Sequence, residues 1–308
     1  MNILGHRYFF FILSLCIIIP GLLLAIFSGL NLSVDFTGGT LLEFQFESGK
    51  TPPPAEIIRI YNQFNVEDVQ ATTTGVNSTQ ARSSFIDDDT RAAIIQEIEN
   101  SFQEQVTVLR FDSVGPTIGR EVAIRAAIAV SIAVLIVVIY ITYAFRGIPH
   151  AFRYGVCAII AMMHDVAIVI SLVAIGGILW GWQVDALFLT ALLTVIGFSV
   201  QDKIVVFDRI RENTNIYRRL PFETLVNHSI IQTLQRSINT QLMTVEFMLL
   251  ALALFGGVTL REFAVILLVG LFSGTYSSIF IAAPVLVVWE NHEWRTWFGR
   301  GKPGAATA

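Results

Sequence analysis

Charge is what this sequence lacks. Asp, Glu, Lys and Arg supply only 14% of its 308 residues, whereas a soluble domain carries about 25%. With 54% hydrophobic residues and a mean hydropathy of +0.65, the chain is excluded from the soluble classes and reads as a membrane protein. Cysteine is nearly absent as well. Cys16 and Cys157 both lie inside apolar runs, which argues against a disulfide framework or a metal site and for small packing residues. There is no low-complexity stretch apart from the tail GKPGAATA.

What is present is a set of long apolar runs. Six of them, at 9–30, 124–144, 154–179, 186–207, 237–255 and 263–289, approach the roughly 20 residues that cross about 30 Å of hydrocarbon as helix. The first is longer than the core of a secretory signal, and no Ala-x-Ala site follows it, so an uncleaved anchor is expected. Arg7, Arg146, Arg153, Arg209, Arg211, Arg218, Arg219, Arg295, Arg300 and Lys302 fall on one side of an alternating six-span chain. The two short loops opposite hold only Arg261. That bias puts both termini in the cytoplasm.

A polar insert, 31–121, separates the first two runs on the far side of the membrane and carries six basic against fourteen acidic residues. TLLEFQF, DVQATTT, SSFID and QVTVLRFDSV read as strands, PAEIIRIYNQF and TRAAIIQEIENSF as helices. The expectation is a small α/β (ferredoxin-like) domain with helices on one face of a sheet. Two joints attach it. VDFTGGT holds Asp35, Gly38 and Gly39, and VGPTIGREV holds Gly115, Pro116 and Gly119. The organisation is then a first span at 1–30, the extracytoplasmic domain at 31–121, a five-helix membrane bundle at 122–290 and a cytoplasmic tail at 291–308.

The remaining charges within the runs carry the functional interest. Asp202 lies six residues before Asp208, about 9 Å deeper along a helix. Lys203 points about 100° away, and its long stem is expected to snorkel toward the cytoplasmic headgroups. In the run 237–255 and the residues before it, Arg236, Asn239, Met243 and Glu246 form a polar stripe, and Arg236 is the natural partner for Asp202. Asp165, beside His164, falls near mid-bilayer. Any one buried acid or base can simply pin helices together. Three spans carrying them at comparable depth favour a proton or cation relay, since one charge crossing the membrane is worth about 2.3 kcal/mol per 100 mV.

These residues resemble a known family. VDFTGGT, VGPTIGREV, HDVAIVI, GFSVQDKIVVFDRIREN and QTLQRSINT, in that order, are similar to SecF, the smaller membrane subunit of the SecDF protein-export complex in the RND superfamily. The resemblance implies six spans and one extracytoplasmic domain. It also implies pairing with a SecD-like subunit into a pseudo-symmetric twelve-span unit and assistance to the SecYEG channel. Such a protein would use the proton-motive force to draw or release exported, unfolded polypeptide outside. Asp202 matches the family's intramembrane carboxylate and Arg236 its basic residue, both implicated in proton conduction; Asp165 joins the expected relay, with Lys203, Glu246 and His164 as auxiliaries. Gln201, Asp202 and Lys203 stand where many relatives have Asn-Asp-Thr, and Glu246 departs from the common pattern.

No enzyme activity, cofactor, metal or nucleic-acid partner is expected. The coupling ion is the proton, with sodium as the alternative, and the partners are the SecD-like subunit, SecYEG, polypeptide and membrane lipid. A bacterial plasma (inner) membrane or a thylakoid membrane satisfies the resemblance. Half of a small-molecule RND exporter ranks lower, because such pumps carry two large inserts per chain. A purely structural subunit is the reading from another class. A hydrolase built on His164 and Asp165 comes last, for want of a nucleophile or a metal set.

Overall fold

The computed structural model describes residues 2–74, 77–146, 151–241, 247–256 and 258–293. In chain order these form α1 (Arg7–Phe27), α2 (Val34–Thr37), β1 (Gly39–Phe46), α3 (Pro54–Gln63), β2 (Gln70–Thr74), β3 (Ser78–Ser83), α4 (Asp88–Phe102) and β4 (Val106–Val114). There follow α5 (Pro116–Ala144), α6 (Ala151–Trp180), α7 (Ala186–Ile216), α8 (Phe222–Gln241), α9 (Phe247–Phe255), α10 (Val258–Ser277), a π-helical turn (Ser278–Ala282) and α11 (Ala283–Glu290).

Apolar runs become helices here because hydrocarbon offers backbone groups no partner but one another. Five described stretches are long and apolar enough to cross a membrane: Leu4–Phe27, Pro116–Ala144, Ala151–Trp180, Ala186–Ile216 and Leu260–Glu290. The expected run at 237–255 contains residues 242–246, which lie outside the described residues; its described parts are the end of α8 and α9. The chain divides into two compact units, Met1–Gly29 with Val130–Ile175 and Thr190–Ala308, and Leu30–Ala129 with Gly176–Leu189.

In the first unit, small residues set the helix spacing, as expected where lipid supplies no hydrophobic drive between helices. A Cβ on Gly21 of α1 would sit 2.2 Å from Ser171 Cβ of α6, and Ser171 Oγ donates to the Ile18 carbonyl at 3.2 Å. On α5, Ile132, Leu135, Ile136 and Ile139 are exposed, the face a membrane would cover. The helix α8 starts just after Pro221 and buries Val226 and Ile230. Asn213 Nδ2 joins α7 to it by donating to Ser229 Oγ at 2.8 Å and Gln232 Oε1 at 2.9 Å.

The second unit is a four-stranded antiparallel sheet ordered β2-β3-β1-β4, in the chain sequence β-α-β-β-α-β. Alternation places Leu42, Phe44 and Phe46 against Ile57, Ile60 and Tyr61 of α3 and Ile94 and Ile98 of α4, all of them buried. The third strand differs from expectation. It is STQARS, and only Ser83 of SSFID belongs to it; Asp87 of that motif accepts from Thr90 N at 3.0 Å and caps α4. Small buried residues, Ser78, Thr79 and Ala81, conceal its period from a hydropathy reading.

The segment before α7 is tied into this unit. Leu32 and Val184 form a parallel bridge, and two carboxylates cap the helix, where amides lack partners and the dipole favours negative charge. Ala186 N donates to Asp35 Oδ2 at 3.1 Å and Phe188 N to Asp185 Oδ1 at 2.7 Å. Arg110 spans Asp112 at 2.5 Å and Asp185 at 3.7 Å.

Burial holds the Asp185 carboxyl above the usual carboxylate range, with the Phe188 bond and Arg110 pulling the other way. A group raised in the fold stabilises it below its unfolded pKa, and that contribution disappears as pH climbs through the folded value. Melting the native and Asp185→Asn chains between about pH 4 and pH 7 should show the native chain losing more stability across the window. Equal slopes would remove Asp185 from the account.

Candidate functional site: a buried ion pair among three spanning helices

Asp165 on α6 is fully buried (0% exposed), and every bond it needs comes from α7, α10 and its own neighbour. Ser199 and Lys203 lie four residues apart on one face of α7; Ser273 and Ser277 do the same on α10. Lys203 Nζ donates to Asp165 Oδ2 at 2.7 Å, to Ser199 Oγ at 2.5 Å and to the Ser199 carbonyl at 3.1 Å. Those three bonds use all the donors an ammonium has. Ser199 Oγ donates to Asp165 Oδ2 at 2.6 Å and Ser277 Oγ to the same oxygen at 2.7 Å. The other oxygen, Oδ1, accepts from Ser273 Oγ at 2.7 Å and lies 3.1 Å from His164 Nδ1. The carboxylate and the ammonium are thus both fully hydrogen-bonded, the condition under which buried charge is tolerated.

Two glycines make the approach of α10 possible. A Cβ on Gly270 would come within 2.3 Å of Val195 Cγ2, and one on Gly274 would sit 3.3 Å from Ser199 Cα. Their spacing, GLFSG, is the small-xxx-small pattern of close membrane helices. Immediately after Ser277 the helix passes into the π-turn Ser278–Ala282, a distortion frequent at functional positions.

Three expectations change. Lys203 does not snorkel: it is 0% exposed, because its side of α7 faces Asp165 within reach of its stem. Among the described residues no ion pair joins Arg236 to Asp202. Asp202 is buried at 6% exposure and accepts from Thr275 Oγ1 at 3.2 Å. Arg236 is exposed on α8, lining a hollow with Asp208, Glu212 and Gln232. Among the described residues the buried cation is Lys203, and its carboxylate is Asp165. His164 stacks on Tyr276 with centroids 6.0 Å apart, and its buried Nε2 has no hydrogen-bond partner among the described residues. Glu246 lies outside the described residues.

The two sequence joints meet each other. Gly38 and Gly39 have φ of 74° and 115°, angles that favour glycine. A Cβ on Gly38 would lie 2.5 Å from Pro116 Cα, and one on Gly119 would lie 2.5 Å from Gly38 N. Pro116 opens α5, where its missing N–H costs nothing. Gly115 faces open space; its carbonyl accepts from Gly119 N at 3.0 Å.

The family model for the C-terminal region of protein export membrane protein SecD/SecF matches residues 94–292, and that for the SecD/SecF GG motif matches 24–50, which contains the Gly38–Gly39 joint. The chain belongs to the SecD/SecF family. The protein translocase subunit SecF of Anaerolinea thermophila is 70% identical over 307 residues, 99% of this chain and 100% of that one. The corresponding subunit of Thermobaculum terrenum is 45% identical over 318 residues, with 99% of each covered. The crystal structure of SecDF from Thermus thermophilus, a translocon-associated membrane protein, superposes with a TM-score of 0.81 at 32% identity, covering 94% of this chain and 39% of that one. The chain is accordingly a multi-pass membrane protein with an accessory role in Sec protein export.

Within this family frame, Ser199, Ser273, Ser277, Gly270 and Gly274 are the residues sequence reasoning missed. The spacings SVQDK, SGTYS and GLFSG were the available signal. Replacing Lys203 with Met leaves Asp165 a buried, uncompensated carboxylate, a loss of about 3–5 kcal/mol. Adding Asp165→Asn should recover most of that loss. A double-mutant cycle by denaturing-detergent titration measures it, and additive losses would show that the two side chains are not coupled.

Proposed function

We propose that the chain is the proton-motive-force-coupled subunit of Sec-dependent translocation. It acts with a SecD-like partner, beside the SecYEG channel, to draw or release unfolded polypeptide on the far side of a bacterial inner membrane. In this reading the chain has six spans, both termini in the cytoplasm and a ferredoxin-like domain outside. The observation that carries it is the Asp165–Lys203 pair, because charges placed in hydrocarbon are costly and mark ion pathways by default. Asp202, one residue from Lys203, is a second buried carboxyl, and Thr275 donates to it. The hydroxyls of Ser199, Ser273, Thr275 and Ser277 surround the two acids, groups able to hand protons on.

Protonation of Asp165 removes the charge that holds Lys203, loosening α6, α7 and α10 from one another; reionisation restores the tie. Arg236, with Asp208 and Glu212, lines a hollow on what this reading takes as the cytoplasmic side. Helix α7 carries Ser199 and Lys203 and begins at Ala186, whose amide is held by Asp35 of the GG joint. A shift of α7 thus reaches the domain that handles polypeptide.

Asp165→Asn and Asp202→Asn chains, assayed for export in membrane vesicles with and without a proton gradient, should lose the gradient's stimulation while the SecD-like partner still co-purifies. Undiminished gradient-driven export in both variants would reduce the chain to a scaffold.

A further inference from the structure

The environment of the Lys203 ammonium is made of oxygen. A carboxylate oxygen at 2.7 Å, a hydroxyl at 2.5 Å and a backbone carbonyl at 3.1 Å surround Nζ. Ser273 and Ser277 bond the same carboxylate at 2.7 Å each. Carbonyl, hydroxyl and carboxylate oxygens are the ligands hard cations take in place of hydration. The formal charge of the cluster decides which cation fits. One carboxylate balances one positive charge, so a divalent ion would leave an excess in hydrocarbon. Asp202, a second buried carboxyl, carried by α7, is engaged by Thr275.

We propose that Asp165, Ser199, Ser273 and Ser277 form a monovalent-cation site that the chain occupies with its own side chain, Lys203 being a tethered cation that excludes sodium. Vacating the site leaves an anion that must be neutralised, and the surrounding hydroxyls are free to rotate their lone pairs inward. The ligands sit on three helices, so whichever cation fills the site also clamps α6, α7 and α10 together. The π-turn directly after Ser277 releases the last part of α10 from regular packing at the point where such a ligand must adjust. The inference deepens the proposed function by naming why sodium does not serve at this site. It rests on that reading only for its consequence in export, because cation binding is measured without export.

The test uses the full chain, purified in mild detergent, with sodium chloride compared against choline chloride at equal ionic strength. The native chain should melt at the same temperature in both and retain no radioactive sodium. Lys203→Ala should melt several degrees higher in sodium than in choline, saturably, and retain the isotope, and Asp165→Asn with Lys203→Ala should lose both responses. A Lys203→Ala chain indifferent to sodium would overturn the proposal, for a proton would then be the replacement charge. Failure to recover Lys203→Ala from either salt while the double variant is recovered would overturn it too. So would an Asp165-dependent sodium response in the native chain, which needs no variant of Lys203 to fold.

Discussion

One ion pair sets the terms for the membrane-spanning part of this protein. Asp165 and Lys203 are each taken out of water, a cost of several kcal/mol per ion, and only complete hydrogen bonding offsets it. That requirement dictates the neighbourhood: a serine one turn before the lysine, two serines four apart on α10, and glycines that bring α10 close enough for those hydroxyls to reach. The carboxylate, the ammonium and the three hydroxyls thus satisfy one another across three helices. The bundle is therefore specified at this level by polar geometry, since apolar packing alone cannot distinguish helix from lipid.

The second constraint is the steric fit between the two glycine-containing joints. Gly38 cannot carry a side chain because the Pro116 backbone occupies that space, and Gly119 is held to the same requirement by Gly38 itself. The connection into the sheet and the connection out of it are thereby locked to each other. Asp35, three residues before Gly38, caps α7, the helix that contains the lysine of the ion pair.

Much of this was legible in the amino-acid order, and the failures have physical causes. Hydropathy located the five stretches that, among the described residues, are long and apolar enough to span, and period-two and helical spacing located β1, α3, α4 and β4. The strand β3 escaped because its buried face is made of serine, threonine and alanine. Asp165 and Asp202 stood out as charges in apolar runs, but depth along a helix does not say which neighbouring helix a side chain meets. Lys203 was therefore expected at the headgroups and Arg236 at Asp202, whereas α6 presents a carboxylate within reach of the lysine and α8 leaves its arginine exposed beside a hollow that Asp208 and Glu212 also line. Serines are unremarkable in a span when read singly. Their meaning emerges only when Ser199, Ser273 and Ser277 converge on one carboxyl.

The bundle depends on Asp165 being an ionised carboxylate bonded to an ammonium. Infrared spectroscopy of protein carrying isotope-labelled aspartate, in lipid at neutral pH, reads this directly by subtracting the spectrum of the Asp165→Asn chain. The difference should contain carboxylate stretching bands and no protonated carbonyl band, and Lys203→Met should alter them. A protonated carboxyl band assigned to Asp165, unchanged by loss of the lysine, would contradict the ion pair and everything built upon it.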